Sequence, residues 1–62
     1  MSEFTLSKVD LSGVEQTLME ANTKELLLLE RDERTERAGP FRKSGVIYRV
    51  TGDEGQEVEW DD

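Results

Sequence analysis

The sequence predicts a small α+β fold, and three observations support this class. A loosely alternating segment opens the chain, a charged helical pattern occupies the middle, and a period-two pattern with turn residues closes it. The 62 residues are enough for one small domain. We therefore expect a single domain over 1–62, with an extended segment over 1–11, a helical part over 12–38 and a β-hairpin over 45–60.

The first 21 residues contain two of these elements. Residues 4–11 alternate loosely between apolar and polar side chains, which is typical of an extended segment or a weak edge strand. Ser12 and Glu15 have the spacing of a capping box, which predicts a short amphipathic helix starting at residue 12 or 13. Its apolar face would consist of Val14, Leu18 and Ala21.

The middle of the chain has a second helical pattern over residues 22–38. It begins with four leucines and continues with alternating charges, and Gly39 and Pro40 stop it as they would stop a helix. Two Glu–Arg pairs at i, i+4 spacing favour the helix. Two alternatives stay open: a buried strand over residues 26–31, or one unbroken helix over 13–37 that pairs with its copy in a second chain.

The C-terminal hairpin is predicted from alternation on both sides of a turn. Gly52 and Gly55 bound a four-residue turn that both glycines favour by accepting positive φ. One face would then carry the large apolar side chains Val46, Tyr48, Val50, Val58 and Trp60. A lone hairpin is only marginally stable in water, so this face should pack on the helical part or on another chain.

Composition narrows the function classes. The chain has no Cys and no His, which removes disulfides, Cys/His zinc sites and His-based catalytic triads. We therefore expect a protein that is not an enzyme and that has no catalytic residue, cofactor or metal. The longest apolar run is too short for a membrane span, so we expect a cytoplasmic location without membrane association.

Acidity is the most unusual property of the chain. It has 15 acidic and 8 basic residues, for a net charge of −7. A high Asp/Glu content with few Lys and Ile residues is similar to the composition of haloarchaeal proteins, which indicates a halophilic origin. High net charge keeps a protein dissolved but adds self-repulsion in dilute salt.

A core drawn from 34% hydrophobic residues in so short a chain is marginal, and association is a common remedy. We therefore expect an interaction protein that forms a homodimer or binds another protein; a disordered monomer is the alternative. Four consecutive leucines point all round a helix, so one copy can hardly cover them. The expected interface residues are Leu26, Leu27, Leu28, Leu29, Tyr48 and Trp60.

Two further functions are left open by the charged residues. A nucleic-acid-binding regulator would use a central basic and aromatic cluster, although the net negative charge opposes it. The same bases are also expected to pair with C-terminal acids across the hairpin or between chains. An inhibitor that mimics nucleic acid would use those acids. The candidate nucleic-acid contacts are Phe41, Arg42, Lys43 and Arg49, with Tyr48 beside them; the acids are Asp53, Glu54, Glu57, Glu59, Asp61 and Asp62.

Overall fold

The computed structural model describes residues 2–61, so Asp62, the last of the predicted C-terminal acids, lies outside the described residues. The described residues form one antiparallel sheet of three strands, in the spatial order β2–β1–β3, and a helix that packs against all three strands. The α+β class is therefore confirmed. The elements in chain order are β1 Phe4–Asp10, β2 Glu15–Ala21, α1 Lys24–Ala38, α2 Phe41–Ser44 and β3 Val46–Gly52.

Strand β2 shows that the prediction of a helix beginning at residue 12 or 13 is wrong. One carboxylate oxygen of Asp10 accepts hydrogen bonds from the hydroxyl and the N–H of Ser12 and from the N–H of Val14. Gly13 has a positive φ of 85°. These residues form a hairpin turn between β1 and β2, which is a common role of Asp, Ser and Gly.

The N-terminal segment is extended as predicted, but it is not an edge strand. β1 lies at the centre of the sheet and pairs antiparallel with β2 on one side and with β3 on the other. The pairing with β2 contains one bulge, opposite the step from Leu6 to Ser7. Because β1 pairs with both other strands, it holds the sheet together.

The helix predicted over residues 22–38 is confirmed as α1, Lys24–Ala38. It ends at Gly39, which has a φ of 86° and donates its N–H to the carbonyl of Thr35. The strand alternative for residues 26–31 and the unbroken helix over 13–37 are both wrong. Within residues 2–61, no helix has the length and apolar character that crossing a membrane requires. The two predicted i, i+4 ion pairs are present, Arg34–Glu30 at 2.9 Å and Arg37–Glu33 at 2.6 Å.

The predicted C-terminal hairpin is formed only in part. Its first strand is β3 and its turn is present, since the N–H of Gly52 donates to the carbonyl of Gln56 at 2.8 Å. The N–H of Val58 then donates to the carbonyl of Val50 at 2.8 Å, but no strand follows β3 within residues 2–61. The strand that pairs with β3 is β1. The sequence did not predict this pairing, because alternation predicts which residues share a face of a strand and not which strand lies next to it.

The core lies between α1 and the half of the sheet where β1 begins. Four side chains are fully buried there: Leu6, Leu27, Leu28 and Val50. Leu6 and Val50 are directly opposite each other on β1 and β3, and the two leucines cover them from α1. A ring of partly buried side chains surrounds the four, namely Phe4, Leu18, Met19, Ala21, Tyr48 and Val58.

Candidate interaction surface

The leucine run is divided between the core and the surface. Leu27 and Leu28 are fully buried against the sheet, whereas Leu26 is 55% exposed and Leu29 is 61% exposed. Steps of 100° along a helix place the first and fourth residues of the run on the side opposite the middle two. The prediction that the run exceeds what one copy covers therefore applies to two of its members.

Trp60 contacts α1 at Asp32 and does not lie on the sheet face predicted for it. Its indole N–H donates to the Asp32 carboxylate of α1 at 2.8 Å, and its side chain is 41% exposed. Asp32 follows Leu29 by three residues, a spacing that makes them neighbours on a helix surface. We call Leu26, Leu29 and Trp60 the outer apolar patch.

The residues after the turn, 56–61, form a tail that is fastened to α1 by charge. Arg31 pairs with Glu59 at 3.0 Å and also with Asp32 at 2.8 Å. Lys24 pairs with Asp61 at 2.8 Å. These contacts explain why the tail leaves β3 after Val58, since Glu59 and Asp61 pair with bases of the helix. Within residues 2–61, the predicted pairing of tail acids with Arg42, Lys43 or Arg49 does not form.

The hydrogen bonds between the tail and α1 also shift the pKa values of Asp32 and Lys24. The hydrogen bond from the Trp60 indole, followed by that from Arg31, holds the pKa of Asp32 below its ordinary value. The hydrogen bond from Lys24 to Asp61 raises the pKa of that lysine. Asp32 and Lys24 therefore stay charged at neutral pH, and both hold the tail against α1.

Tyr48 lies apart from the outer apolar patch. It is half-buried on β3, on the helix side of the sheet, where it packs against the core and faces the last turns of α1. The six expected interface residues therefore do not form one surface. Two are core residues, three form the outer apolar patch, and Tyr48 belongs to a groove that the sequence did not reveal.

That groove runs between the last turns of α1 and the outer edge of β3, and we call it the β3 groove. Its most closed section has a volume of about 160 Å³. Small-molecule sites usually measure about 300–1,000 Å³, so this section suits a single side chain better than a cofactor. No local sequence pattern pointed to it, because it depends on the crossing of α1 over β3. Its walls include Thr35, Ala38, Phe41, Val46 and Tyr48.

The candidate nucleic-acid contacts are separated by the sheet. Arg49 alternates with Tyr48 along β3 and pairs with Glu15 of β2 at 3.0 Å, so it lies on the face away from α1. Arg42 and Lys43 lie on α2, and within residues 2–61 neither has an ion-pair partner. The four predicted residues thus form a small cluster of three on α2 and one separate, neutralised arginine.

No family model matches the chain, and no curated protein or solved structure matches it.

Proposed function

We propose that this chain is a small acidic, non-enzymatic interaction protein that self-associates through the outer apolar patch. The observation that carries the proposal is the exposure of Leu26 and Leu29 in the middle of a helix whose other face is already packed. A core of four fully buried side chains is small for a folded domain, and a second copy would extend it.

The surroundings of the patch define the conditions of association. Glu25 lies next to Leu26 on α1 and the chain has a net charge of −7, so two copies would repel each other. Self-association should therefore be weak in dilute buffer and stronger in salt, since the Debye length falls from about 30 Å at 0.01 M to about 3 Å at 1 M. This dependence agrees with the halophilic composition, which is part of the same proposal.

Sedimentation equilibrium at low and high KCl tests this function. The wild type should approach the mass of a dimer as salt rises, and Leu26→Gln with Leu29→Gln should remain monomeric at all salt concentrations. Leu11→Gln is the matched control, because Leu11 is 79% exposed but lies in the β1–β2 turn. A monomeric wild type in 1 M KCl, or a dimer that survives the double substitution, would overturn the proposal.

A further inference from the structure

The tail covers only part of the outer edge of β3. This edge is separate from the outer apolar patch proposed for self-association. The tail accepts and donates hydrogen bonds at Val50 and Gly52, so the polar groups of these two residues point away from β1. Along a strand, alternate residues direct their N–H and C=O to the same edge. Tyr48 therefore also directs its backbone groups outward, and no residue of the tail within 56–61 hydrogen-bonds to them, although Glu57 and Glu59 lie nearby.

The β3 groove lies beside this free edge. Its section between Thr35, Ala38 and Phe41 has no charged side chain in its walls, and its volume suits one aliphatic side chain. The tail shows how a chain fits here: Val58 donates its N–H to β3 while its side chain packs against the core. The sequence of that tail, Glu57 to Trp60, alternates acidic and apolar residues.

Charge at the far end of the groove selects the occupant. Phe41 lines the groove, and Arg42 and Lys43 follow it on α2. Within residues 2–61 these two are bases without an ion pair on an otherwise acidic protein, whereas the arginines of α1 all have carboxylate partners. An acidic segment would complement these two bases.

We propose that the β3 groove binds an extended acidic peptide segment of a partner protein, which adds to β3 as a further strand. The segment hydrogen-bonds to the backbone of Tyr48, places one apolar side chain between Ala38 and Phe41, and brings a carboxylate to Arg42 and Lys43. Strand addition takes its affinity from main-chain hydrogen bonds and its selectivity from alternate side chains. Here the backbone of Tyr48 would supply the hydrogen bonds, and the pocket between Ala38 and Phe41 would select the side chain.

Fluorescence anisotropy with a defined probe tests the proposal. The probe is a labelled seven-residue peptide in which valine alternates with glutamate and which ends in a free carboxylate. It should bind, whereas the same peptide with a central proline should not, because proline removes a ladder donor. In a ¹⁵N-labelled protein, the Tyr48 amide resonance should shift, and the amides of β2, the other free edge, should not.

Two pairs of variants locate the site. Ala38→Leu, which fills the pocket, should abolish binding, and Ala38→Ser, which leaves it open, should not. Arg42→Gln with Lys43→Gln should weaken binding at least tenfold. Arg37→Gln should have little effect, because Arg37 pairs with Glu33. Thermal melts confirm that each variant is folded.

Several outcomes would overturn the proposal. They are no binding of the probe up to about 1 mM, equal binding of the proline peptide, resonance shifts at β2, or binding of a ten-residue oligothymidylate in place of the peptide, which would indicate a nucleic-acid site. Self-association is tested separately, since Leu26→Gln with Leu29→Gln should bind the probe like the wild type. Either proposal can therefore fail without the other.

Discussion

The two ends of the molecule differ in how well the helix covers the sheet. At the end where β1 begins, Leu27 and Leu28 of α1 seal the sheet with no exposed surface of their own. At the end where β1 stops, the residues of α1 that face the sheet are Arg34, Thr35 and Ala38, and two grooves remain open between them and Tyr48. We call these the closed end and the open end.

The two ends also differ in where the buried side chains and the ion pairs of the tail lie. All four fully buried side chains belong to the closed end, which is also where the tail is fastened to α1. The open end instead has the β3 groove and the bases of α2, which have no ion-pair partner within residues 2–61. The fully buried side chains within residues 2–61 are thus concentrated in one half of the sheet, and the two proposed binding surfaces lie at different ends: the outer apolar patch at the closed end and the β3 groove at the open end.

The largest expected effect is the loss of folding stability when a buried leucine of the closed end is truncated. Leu28→Ala should unfold the protein, because truncating a buried leucine typically costs about 2–5 kcal/mol. A domain of this length has a total stability of about 3–9 kcal/mol, at about 0.05–0.15 kcal/mol per residue, so this loss is comparable with the whole. Leu29→Ala, a substitution in the adjacent but exposed leucine, should change the free energy of unfolding of the monomer by at most about 0.5 kcal/mol.

Urea denaturation followed by circular dichroism, in dilute salt where the monomer prevails, measures both leucine variants. Equal stabilities for the two would mean that the leucine run is not divided between core and surface as described.

A smaller effect is expected where the tail meets the helix. Trp60→Ala should cost about 1 kcal/mol, well below the roughly 3–5 kcal/mol of a buried aromatic, because the side chain is 41% exposed. Trp60→Phe separates the two contributions: it keeps an aromatic ring against α1 but removes the indole N–H that Asp32 accepts. Chemical denaturation in dilute salt is the measurement, and complete unfolding of the alanine variant would place Trp60 in the core after all.

An element of this fold was predictable where the contacts that form it are local in sequence, and not where contacts from another element decide it. α1 was predicted correctly because its stop at Gly39 and its i, i+4 pairs are local features. β2 was not, because Ser12 and Glu15 satisfy a helix start as well as a turn, and the deciding hydrogen bonds come from Asp10 of the preceding strand. The Asp-x-Ser-Gly sequence was a turn signal that could have been used.

The surfaces were less predictable than the fold. The sequence predicts an interface at the whole run from Leu26 to Leu29, whereas which members of the run face outward depends on how α1 lies on the sheet. Arg49 was grouped with Arg42 and Lys43 because they are close in sequence, although strand alternation places it on the other face of the sheet. The β3 groove exists only where three elements meet, so no single segment encodes it.

The smallest expected effect compares one carboxylate from each end of the molecule under acid. Asp32 has a lowered pKa from the bonds of Trp60 and Arg31, and Asp10 has a lowered pKa, chiefly from its hydrogen bond with the Ser12 hydroxyl. A depressed pKa in the folded state means that the stabilising contribution is complete above the ordinary value of about 4 and is lost as pH falls through the lowered value.

Acidification below about pH 4 should therefore release the tail at the closed end and loosen the β1–β2 turn at the open end, each to a modest degree because both carboxylates are solvent-exposed. Trp60 fluorescence reports the first event, and the amide resonances of Ser12 and Val14 report the second. In Asp32→Asn the fluorescence transition should disappear while the Ser12 and Val14 transition persists, because the two carboxylates lie on separate elements. A single transition shared by all three probes would instead mean that acid unfolds the whole domain at once, and the two ends would then be one cooperative unit.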